Sequence, residues 1–227
     1  MKLHRFLHRG RIAESSELPE GATLLAPVVP SKIVCVGRNY ADHAKELGNE
    51  APPEPILFLK PPSALLAPEG TIVRPPQSQL VHHEAELAIV IGREAKNVKA
   101  SVWRDYVRGF TCANDVTARD LQRKDVQFTR GKSFDTFCPI GPHIETELDP
   151  SDLRVVARVN GEVKQDGRTS QMIFDCAFLL EFISGVMTLL PGDVILTGTP
   201  AGVGALESGD VVDVEIEGIG VLRNAVS

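Results

Sequence analysis

The sequence has few cysteines, and their spacing is not that of a disulfide framework. There are four in 227 residues, and none is paired as C-x-x-C. Each lies in an apolar or strand-like stretch of the chain. We therefore expect reduced thiols in the core of a cytoplasmic protein. The four residues are Cys35, Cys112, Cys138 and Cys176.

Long apolar runs are also missing. No stretch approaches the roughly 20 apolar residues that cross a bilayer. The best candidate, residues 176–190, is interrupted by Glu181 and ends at Pro191. The N-terminus has no continuous apolar region, so we expect no secretory signal and no membrane partner.

Positive charge is not in excess. The net charge is −6, with both signs scattered along the chain. Because nucleic-acid binding requires a basic face, we do not expect nucleic acid as a partner. A small anionic substrate stays possible, since its attraction depends on local charge. Hydrophobic content of 43% and charged content of 24% are those of an ordinary globular protein.

The length fits one large domain, or one domain with a small appendage. Residues 1–30 mix short apolar pieces with prolines and predict a short β-rich lead-in. Residues 31–227 form the main domain in this interpretation. Its many short strand-like stretches favour a mixed α/β, predominantly β fold that is largely antiparallel, with short flanking helices.

Two local patterns are clearer than the rest. Asn160 and Gly161 separate two strand-like stretches and predict a type I′ hairpin, because both central residues need positive φ. One long helix is predicted over residues 171–189, with Ser170 as its N-cap. Residues 127–136 are polar and predict a loop.

An acidic pair opens the most apolar stretch of the chain. Glu84 and Glu86 precede the run Leu87-Ala88-Ile89-Val90-Ile91 within a predicted strand. Residues two apart in a strand share a face, so the two carboxylates should project side by side next to the core. Asp115, in a later polar turn, would complete a three-carboxylate site. An outward-facing polar strand and a helix-capping aspartate are the ordinary alternatives.

Three carboxylates would bind a hard divalent cation. All-oxygen ligation suits Mg²⁺, Mn²⁺ or Ca²⁺ better than zinc. His82 shares the predicted face of Glu84 and Glu86, which leaves an iron or zinc site of mixed ligands as a rival. Lys132 would offset the remaining negative charge and attract an anionic substrate, although a loop lysine is usually solvated.

Two further stretches are candidates for chemistry. His43 and Glu46 lie three residues apart on a predicted short helix, where a carboxylate would orient an imidazole that activates water. Most such pairs are plain surface residues. The glycine-rich stretch 198–204 lacks the ending of a nucleotide-binding loop. It is either a plain loop or a turn that presents backbone N–H groups to a carboxylate.

Six runs of the chain carry further information when they are taken together. They are Val36-Gly37-Arg38-Asn39-Tyr40-Ala41-Asp42-His43, Phe58-Leu59-Lys60-Pro61, His82-His83-Glu84-Ala85-Glu86-Leu87, Asn114-Asp115-Val116-Thr117-Ala118-Arg119-Asp120, Lys132-Ser133-Phe134-Asp135 and Leu196-Thr197-Gly198-Thr199-Pro200. These runs resemble the fumarylacetoacetate hydrolase family in its single-domain form. They occur in the family's order and cover roughly residues 32–222.

The resemblance implies a rolled mixed β structure, usually a homodimer, and a role for each matched residue. Glu84, Glu86 and Asp115 would be ligands of Mg²⁺ or Mn²⁺, with Ca²⁺ possible. The implied catalytic residues are His43 and Glu46, on the lid of acylpyruvate-cleaving members, and Lys132 beside the metal. The implied substrate-binding residues are Arg38, Arg119, Gln122, Gly198 and Thr199.

The resemblance also implies a 2-oxo acid as substrate and a metal-bound enolate as the common intermediate. The His43–Glu46 couple favours hydrolysis or decarboxylation of acylpyruvate-type 2-oxo acids. The alternative is an isomerase of the 2-hydroxyhepta-2,4-diene-1,7-dioate or 5-carboxymethyl-2-hydroxymuconate type, in aromatic catabolism. A second alternative, from another class, is a non-catalytic β-module stabilised by a metal ion.

Overall fold

A computed structural model describes all 227 residues. The strands are β1 (Lys2–His8), β2 (Arg11–Ser15), β3 (Thr23–Leu24), β4 (Ile33–Gly37), β5 (Ile56–Lys60), β6 (Leu65–Leu66), β7 (Thr71–Ile72), β8 (Val81–His82), β9 (Ala85–Ile91), β10 (Val107–Asn114), β11 (Thr117–Ala118), β12 (Cys138–Glu145), β13 (Arg154–Val159), β14 (Glu162–Arg168), β15 (Val194–Leu196), β16 (Val211–Ile216) and β17 (Gly220–Val226).

Helices are few and short. The α-helices are α1 (Ala41–Glu46), α2 (Arg119–Lys124), α3 (Thr129–Lys132) and α4 (Cys176–Val186). Single 3₁₀ segments cover Pro62–Ala64, Ala100–Tyr106 and Thr169–Gln171. No helix combines the length and the apolarity that a membrane span requires. The predicted class, mixed α/β and predominantly β, is confirmed.

Two sheets carry the fold. A ten-stranded mixed sheet has the order β2-β1-β12-β10-β9-β15-β4-β5, with β3 beside β1 and β6 beside β12. A five-stranded sheet has the order β14-β13-β16-β17-β7. The main core joins side chains of both sheets and of α4, including Ile89, Phe110, Val155, Leu180 and Val214. The β-rich lead-in supplies β1 to β3, and β1 pairs with β12.

The centre of the large sheet brings four chain segments to one edge. β4 and β15 are parallel, so their carboxyl ends lie together. β9 runs antiparallel to β15 and to β10. The start of β9 therefore lies beside the ends of β4, β10 and β15. Every residue of β9 is buried, which agrees with its apolar run from Leu87 to Ile91, and Glu86 is its one charged residue.

The predicted helix over residues 171–189 is too long. α4 begins at Cys176, and its N-cap is Asp175, whose side chain accepts a hydrogen bond from Phe178 N at 2.8 Å. Ser170 is not a helix cap, because its hydroxyl donates to Asp152 Oδ1 at 2.6 Å.

The residues just before α4 are bound by another segment. Ile173 N donates to Asn39 O, and Phe174 N donates to Asn39 Oδ1, both at 2.8 Å. Those amides are then unavailable to a helix that starts earlier. The local pattern alone could not reveal this competition.

Two other expectations need correction, and one is met. The predicted loop over 127–136 contains the four-residue helix α3. The acidic strand is not continuous, because β8 ends at His82 and β9 begins at Ala85. The type I′ hairpin is present, with φ of +52° at Asn160 and +83° at Gly161.

Candidate active site

Three buried carboxylates meet at the edge where β9 begins. Glu84 lies between β8 and β9, Glu86 lies on β9, and Asp115 follows β10. One oxygen from each lies within 4.8 Å of the other two. Asp115 reaches this place because the end of β10 pairs with the start of β9, and because Asp115 N donates to Glu84 O at 2.9 Å. The three residues are 4%, 2% and 1% exposed, respectively.

Three cationic groups form ion pairs with two of the three carboxylates, Glu84 and Asp115. Lys132 Nζ lies 2.7 Å from Glu84 Oε2 and 2.6 Å from Asp115 Oδ2. Lys60 Nζ lies 2.5 Å from Asp115 Oδ1. Arg119 donates from Nη2 to Glu84 Oε1. Charged groups this deeply buried require such partners.

The pKa values of the two glutamates are shifted in opposite directions. Burial alone would raise the pKa of Glu84, but Lys132 and Arg119 outweigh it and hold that pKa below the usual range. Burial, together with the charges of Asp115 and Glu84, raises the pKa of Glu86 well above its usual value. Burial would lower the pKa of Lys132, yet Asp115 and Glu84 raise it. The surroundings of Lys132 therefore favour its charged form, whereas those of Glu86 disfavour its charged form.

The donor set fits a hard divalent cation. Glu86 Oε2 accepts a hydrogen bond from Gly198 N at 2.7 Å, and Glu86 lines a cavity in which Oε1 has no protein donor. Carboxylate oxygens have two lone pairs each, so those of Glu84 and Asp115 can accept a lysine hydrogen and still bind a cation. All ligands are oxygens, which matches Mg²⁺, Mn²⁺ or Ca²⁺.

His82, the expected rival ligand, is not part of this cluster. The metal-ligating groups that converge here include no histidine. His82 also does not line the cavity. Burial, with the nearby charge of Arg119, lowers the pKa of His82 to about 4. The mixed histidine and carboxylate site considered from the sequence is therefore not formed.

His43 and Glu46 form a hydrogen-bonded pair on α1. His43 Nδ1 lies 3.1 Å from Glu46 Oε2. The second oxygen of Glu46 accepts from Gly202 N at 3.0 Å. His43 is 4% exposed and lines the same cavity as the acidic residues. With Nδ1 engaged, Nε2 is the nitrogen left for a molecule in the cavity.

The cavity has a volume of about 330 Å³. Its wall includes all the predicted substrate-binding residues except Gly198, whose N–H is bound to Glu86. Arg119 and Gln122 are already joined, since Arg119 Nη1 donates to Gln122 Oε1 at 2.6 Å. Arg38 has a positive φ of 57°, which is uncommon for a residue with a side chain.

The family model described as Fumarylacetoacetate (FAA) hydrolase C-terminal matches residues 32–227. The chain belongs to the fumarylacetoacetate hydrolase family. The match includes every residue of the acidic cluster, the His43–Glu46 pair and Lys132. The resemblance drawn from the six sequence runs is confirmed.

Relatives within this family carry different activities in their names. The human mitochondrial oxaloacetate tautomerase FAHD2A is 48% identical over 96% of this chain and 74% of its own length. A 5-carboxymethyl-2-hydroxymuconate delta-isomerase structure from Mycobacterium smegmatis is 48% identical, with a TM-score of 0.92 over 100% of this chain and 98% of that one.

A third relative bears on the acidic cluster. The structure of fumarylpyruvate hydrolase from Pseudomonas aeruginosa, in complex with Mn²⁺ and pyruvate, is 33% identical. Its TM-score is 0.83, over 91% of this chain and 93% of that one. Hydrolases, isomerases and tautomerases thus share this fold, and the family alone does not choose among them.

Sequence reasoning gave no role to two residues of the site. Lys60 belongs to one of the matched runs, and it is 1% exposed against Asp115. A lysine at the end of an apolar strand, directly before Pro61, was the available signal. Arg123 lines the cavity and forms no ion pair. Its only signal was its position one residue after Gln122.

Proposed function

We propose that this protein cleaves acylpyruvate-type 2-oxo acids, by hydrolysis or decarboxylation, in a reaction that depends on a divalent metal ion. The supporting observation is that the His43–Glu46 pair and the three carboxylates line or adjoin one cavity. The carboxylate end of the cavity suits a 2-oxo acid that chelates a metal ion, and the His43 end suits activation of water.

In this proposal Glu84, Glu86 and Asp115 hold Mg²⁺, with Mn²⁺ or Ca²⁺ as substitutes. The ion would act as a Lewis acid toward the carboxylate and the 2-oxo oxygen of the substrate. The protein itself supplies Lys132, whose ammonium group stabilises negative charge that develops on the 2-oxo oxygen. The buried ion pairs of Lys132 with Glu84 and Asp115 hold it in place.

His43 has the second task. Its Nε2 takes a proton from water, while Glu46 accepts the hydrogen on Nδ1 and keeps the ring oriented. Hydroxide adds to the carbonyl beyond carbon 3, and the bond between carbons 3 and 4 breaks. The electron pair goes to carbon 3 of the pyruvate unit, which takes up the proton that His43 removed from water. With oxaloacetate the same bond breaks and CO₂ leaves without addition of water.

The charge of the cavity supports an anionic substrate. Lys60, Lys132 and Arg119 are paired with the acidic cluster. Arg38 and Arg123 also line the cavity and have no carboxylate partner. Two such guanidinium groups attract carboxylates, because nothing on the protein already neutralises them.

A second candidate is tautomerisation or isomerisation of the same class of substrate. The names of the human relative and of the M. smegmatis structure favour it. Such a reaction needs the acidic cluster and Lys132 to stabilise an enol, and it needs no attacking water. The His43–Glu46 pair would then transfer a proton to carbon.

One experiment separates these candidates. The protein is incubated with Mg²⁺ and a panel of acylpyruvates, oxaloacetate and a hydroxymuconate-type diene, and pyruvate, CO₂ and enol absorbance are followed. Pyruvate formation that stops with EDTA supports cleavage. Loss of enol absorbance with no broken carbon bond in any substrate supports the tautomerase or isomerase. A large effect of metal on Tm without any turnover would favour the non-catalytic β-module.

Assembly and location belong to the same proposal. The resemblance implies a homodimer, so light scattering should give about twice the chain mass of 24.6 kDa. All four cysteines are free and buried, which agrees with function in the reducing cytoplasm.

A further inference from the structure

A buried glutamine of the five-stranded sheet contacts residues on both sides of the site. Gln165 lies on β14, is fully buried and does not line the cavity. Ala157 pairs with Gln165, whereas Arg158 pairs with Val163, so Lys164 is an extra residue that forms a β-bulge. The bulge ends a run of three exposed residues and turns Gln165 inward.

The side chain of Gln165 uses its whole hydrogen-bonding capacity. Nε2 donates to Thr199 Oγ1 and to Pro200 O, both at 2.7 Å. Oε1 accepts from Ala85 N at 3.0 Å and lies 3.0 Å from His83 Nδ1. An amide side chain has two donor hydrogens and one oxygen with two lone pairs, so no further bond is available.

The direction of every bond in this network is determined. Ala85 N can only donate and Pro200 O can only accept, so the amide of Gln165 cannot be flipped. His83 Nδ1 must therefore carry the hydrogen. The hydroxyl of Thr199 accepts from Gln165 and donates to Ala85 O at 2.8 Å. Its hydrogen is thus unavailable to a substrate.

The residues held by Gln165 belong to a short segment, residues 198–202, that we call the site loop. Gly198 N donates to Glu86 Oε2 at 2.7 Å. At the other end of the loop, Gly202 N donates to Glu46 Oε1 at 3.0 Å. The site loop thus contacts the acidic cluster and the His43–Glu46 pair at once, and Gln165 binds its middle.

Close packing leaves the site loop no room to slide on β14. A Cβ atom on Gly202, which has φ +100°, would lie 2.0 Å from Lys164 O. A Cβ atom on Gly167 would lie 2.5 Å from Pro200 Cβ. Both contacts require glycine, so the backbones are already at the closest possible approach.

We propose that Gln165 is a positioning residue that keeps the site loop in register with β9, so that Glu86 and the His43–Glu46 pair face one cavity simultaneously. Gln165 contacts Ala85, which lies between Glu84 and Glu86, and it contacts the loop on the other side. The structural part of this proposal stands alone, whereas its catalytic consequence rests on the proposed function.

The first test needs no substrate. Gln165→Met keeps a similar length and removes all four hydrogen bonds, and Val163→Thr on the exposed part of β14 is the matched control. By hydrogen–deuterium exchange, we expect peptides that cover the site loop to exchange at least about tenfold faster in Gln165→Met alone. Peptides from β16 should be unchanged. Equal exchange in the loop, or faster exchange throughout the five-stranded sheet, would overturn the proposal.

The second test measures coupling. In Gln165→Met we expect kcat for cleavage to fall about tenfold to a hundredfold with little change in KM, because the reacting groups are misplaced. In a double variant, adding Gln165→Met to Glu46→Gln should lower kcat by less than about a further threefold, since both changes disturb the same structural unit. Fully additive losses would contradict a positioning role and leave only a structural one.

A third variant provides a test in case Gln165→Met does not fold. The experiments also separate the proposed role of Gln165 from the proposed function. If Gln165→Met does not fold, Gln165→Glu keeps the shape and the acceptor oxygen but removes at least one donor hydrogen. It should still speed exchange in the site loop alone, by a smaller factor, and an unchanged loop would count against the proposal. If the wild-type protein cleaves no 2-oxo acid, the proposed function fails, while the exchange results still decide the role of Gln165.

Discussion

The acidic end of the cavity and the α1 side of the same cavity are built differently. At the acidic end, Glu84, Glu86 and Asp115 are at most 4% exposed, and protein donors fix each carboxylate. The α1 helix has only six residues and no side-chain N-cap. One hydrogen bond, from Gly202 N to Glu46, ties its last residue to the site loop.

This difference indicates how the two steps of the proposed reaction, enolate stabilisation and water activation, would respond to mutation. The acidic end is pre-organised, since protein groups alone supply its ion pairs and backbone bonds. The position of His43 depends on a short helix with few contacts, and such segments move at low energetic cost. Stabilisation of an enolate and activation of water are therefore separable by mutation.

The largest effect is expected when the acidic end loses one charge. In Asp115→Asn, Lys60 and Lys132 lose an anionic partner, and the proposed cation would lose a carboxylate ligand. We expect kcat/KM on 2-oxo acids to fall at least about a thousandfold, and the free energy of unfolding to fall by about 3 kcal/mol. Steady-state kinetics and denaturant titration measure the two effects.

Asp135→Asn is the matched control for that substitution, because Asp135 is exposed and forms no ion pair. It should change neither quantity. Full activity of Asp115→Asn at saturating Mg²⁺ would show that Asp115 is not a required ligand.

A smaller and more selective effect is expected on the α1 side. His43→Ala removes the proposed base, so cleavage should slow about a hundredfold. Exchange of the carbon 3 hydrogens with D₂O should change much less, because the acidic end is intact. NMR of the substrate and a pyruvate assay measure the two rates, with Lys45→Ala on the exposed face of α1 as control. Equal losses in both rates would contradict the separation.

A third substitution probes the opposite end of the same strands. Asp193 precedes β15, is fully buried, and accepts hydrogen bonds from Ser31, Lys32 and Leu190. Burial would raise the pKa of Asp193, but these bonds, with that from Lys32 first, lower it. Asp193→Asn should reduce the free energy of unfolding by about 2 kcal/mol at pH 7 and leave Mn²⁺ affinity unchanged.

The pH dependence of that difference has a definite sign. The folded-state pKa of Asp193 lies below its unfolded value, so its contribution is complete above about pH 4. It declines as pH falls further, through the folded-state pKa. The gap between wild type and Asp193→Asn should therefore narrow in acid, as followed by urea titrations at several pH values. A gap that widened in acid would exclude this carboxylate as the cause.

The smallest effect is expected at the outer wall of the cavity. Arg123→Gln removes one unpaired charge, and KM for dianionic oxaloacetate should rise about two- to fivefold, less so in high salt. A monoanionic acylpyruvate should be affected less. Arg130→Gln is the control, since Arg130 is paired with Asp125 and lies outside the cavity. Equal changes for both substrates would argue against a contact with the distal carboxylate.

Sequence patterns identified much of the site because its residues lie in distinctive runs. Glu84 and Glu86 stand out against the apolar strand that follows them, and His43 and Glu46 have helical spacing. The structure brings both groups to one cavity. The role of Gln165 was invisible, since nothing local distinguishes it from any polar residue at a hairpin.

The wrong prediction for the start of α4 has the same cause, a contact between distant parts of the chain. Residues 171–175 have a helical pattern, yet Asn39 binds the amides of Ile173 and Phe174 from more than 130 positions away in the chain. A helix capped by Ser170 would need the N–H of Phe174 for its first intrahelical bond and the N–H of Ile173 for the cap, and both are bound elsewhere. Propensity therefore predicted the existence of α4 and failed at its beginning.

The sequence by itself determined the strand-rich class, the Asn160–Gly161 turn and the candidate acids, because periodicity and turn chemistry are local properties. Only the tertiary structure decided that the start of β9 meets the ends of β4, β10 and β15. It also placed Lys60 and Gln165 beside them. Those contacts join residues from 29 to more than 110 positions apart, and no local pattern encodes such pairings.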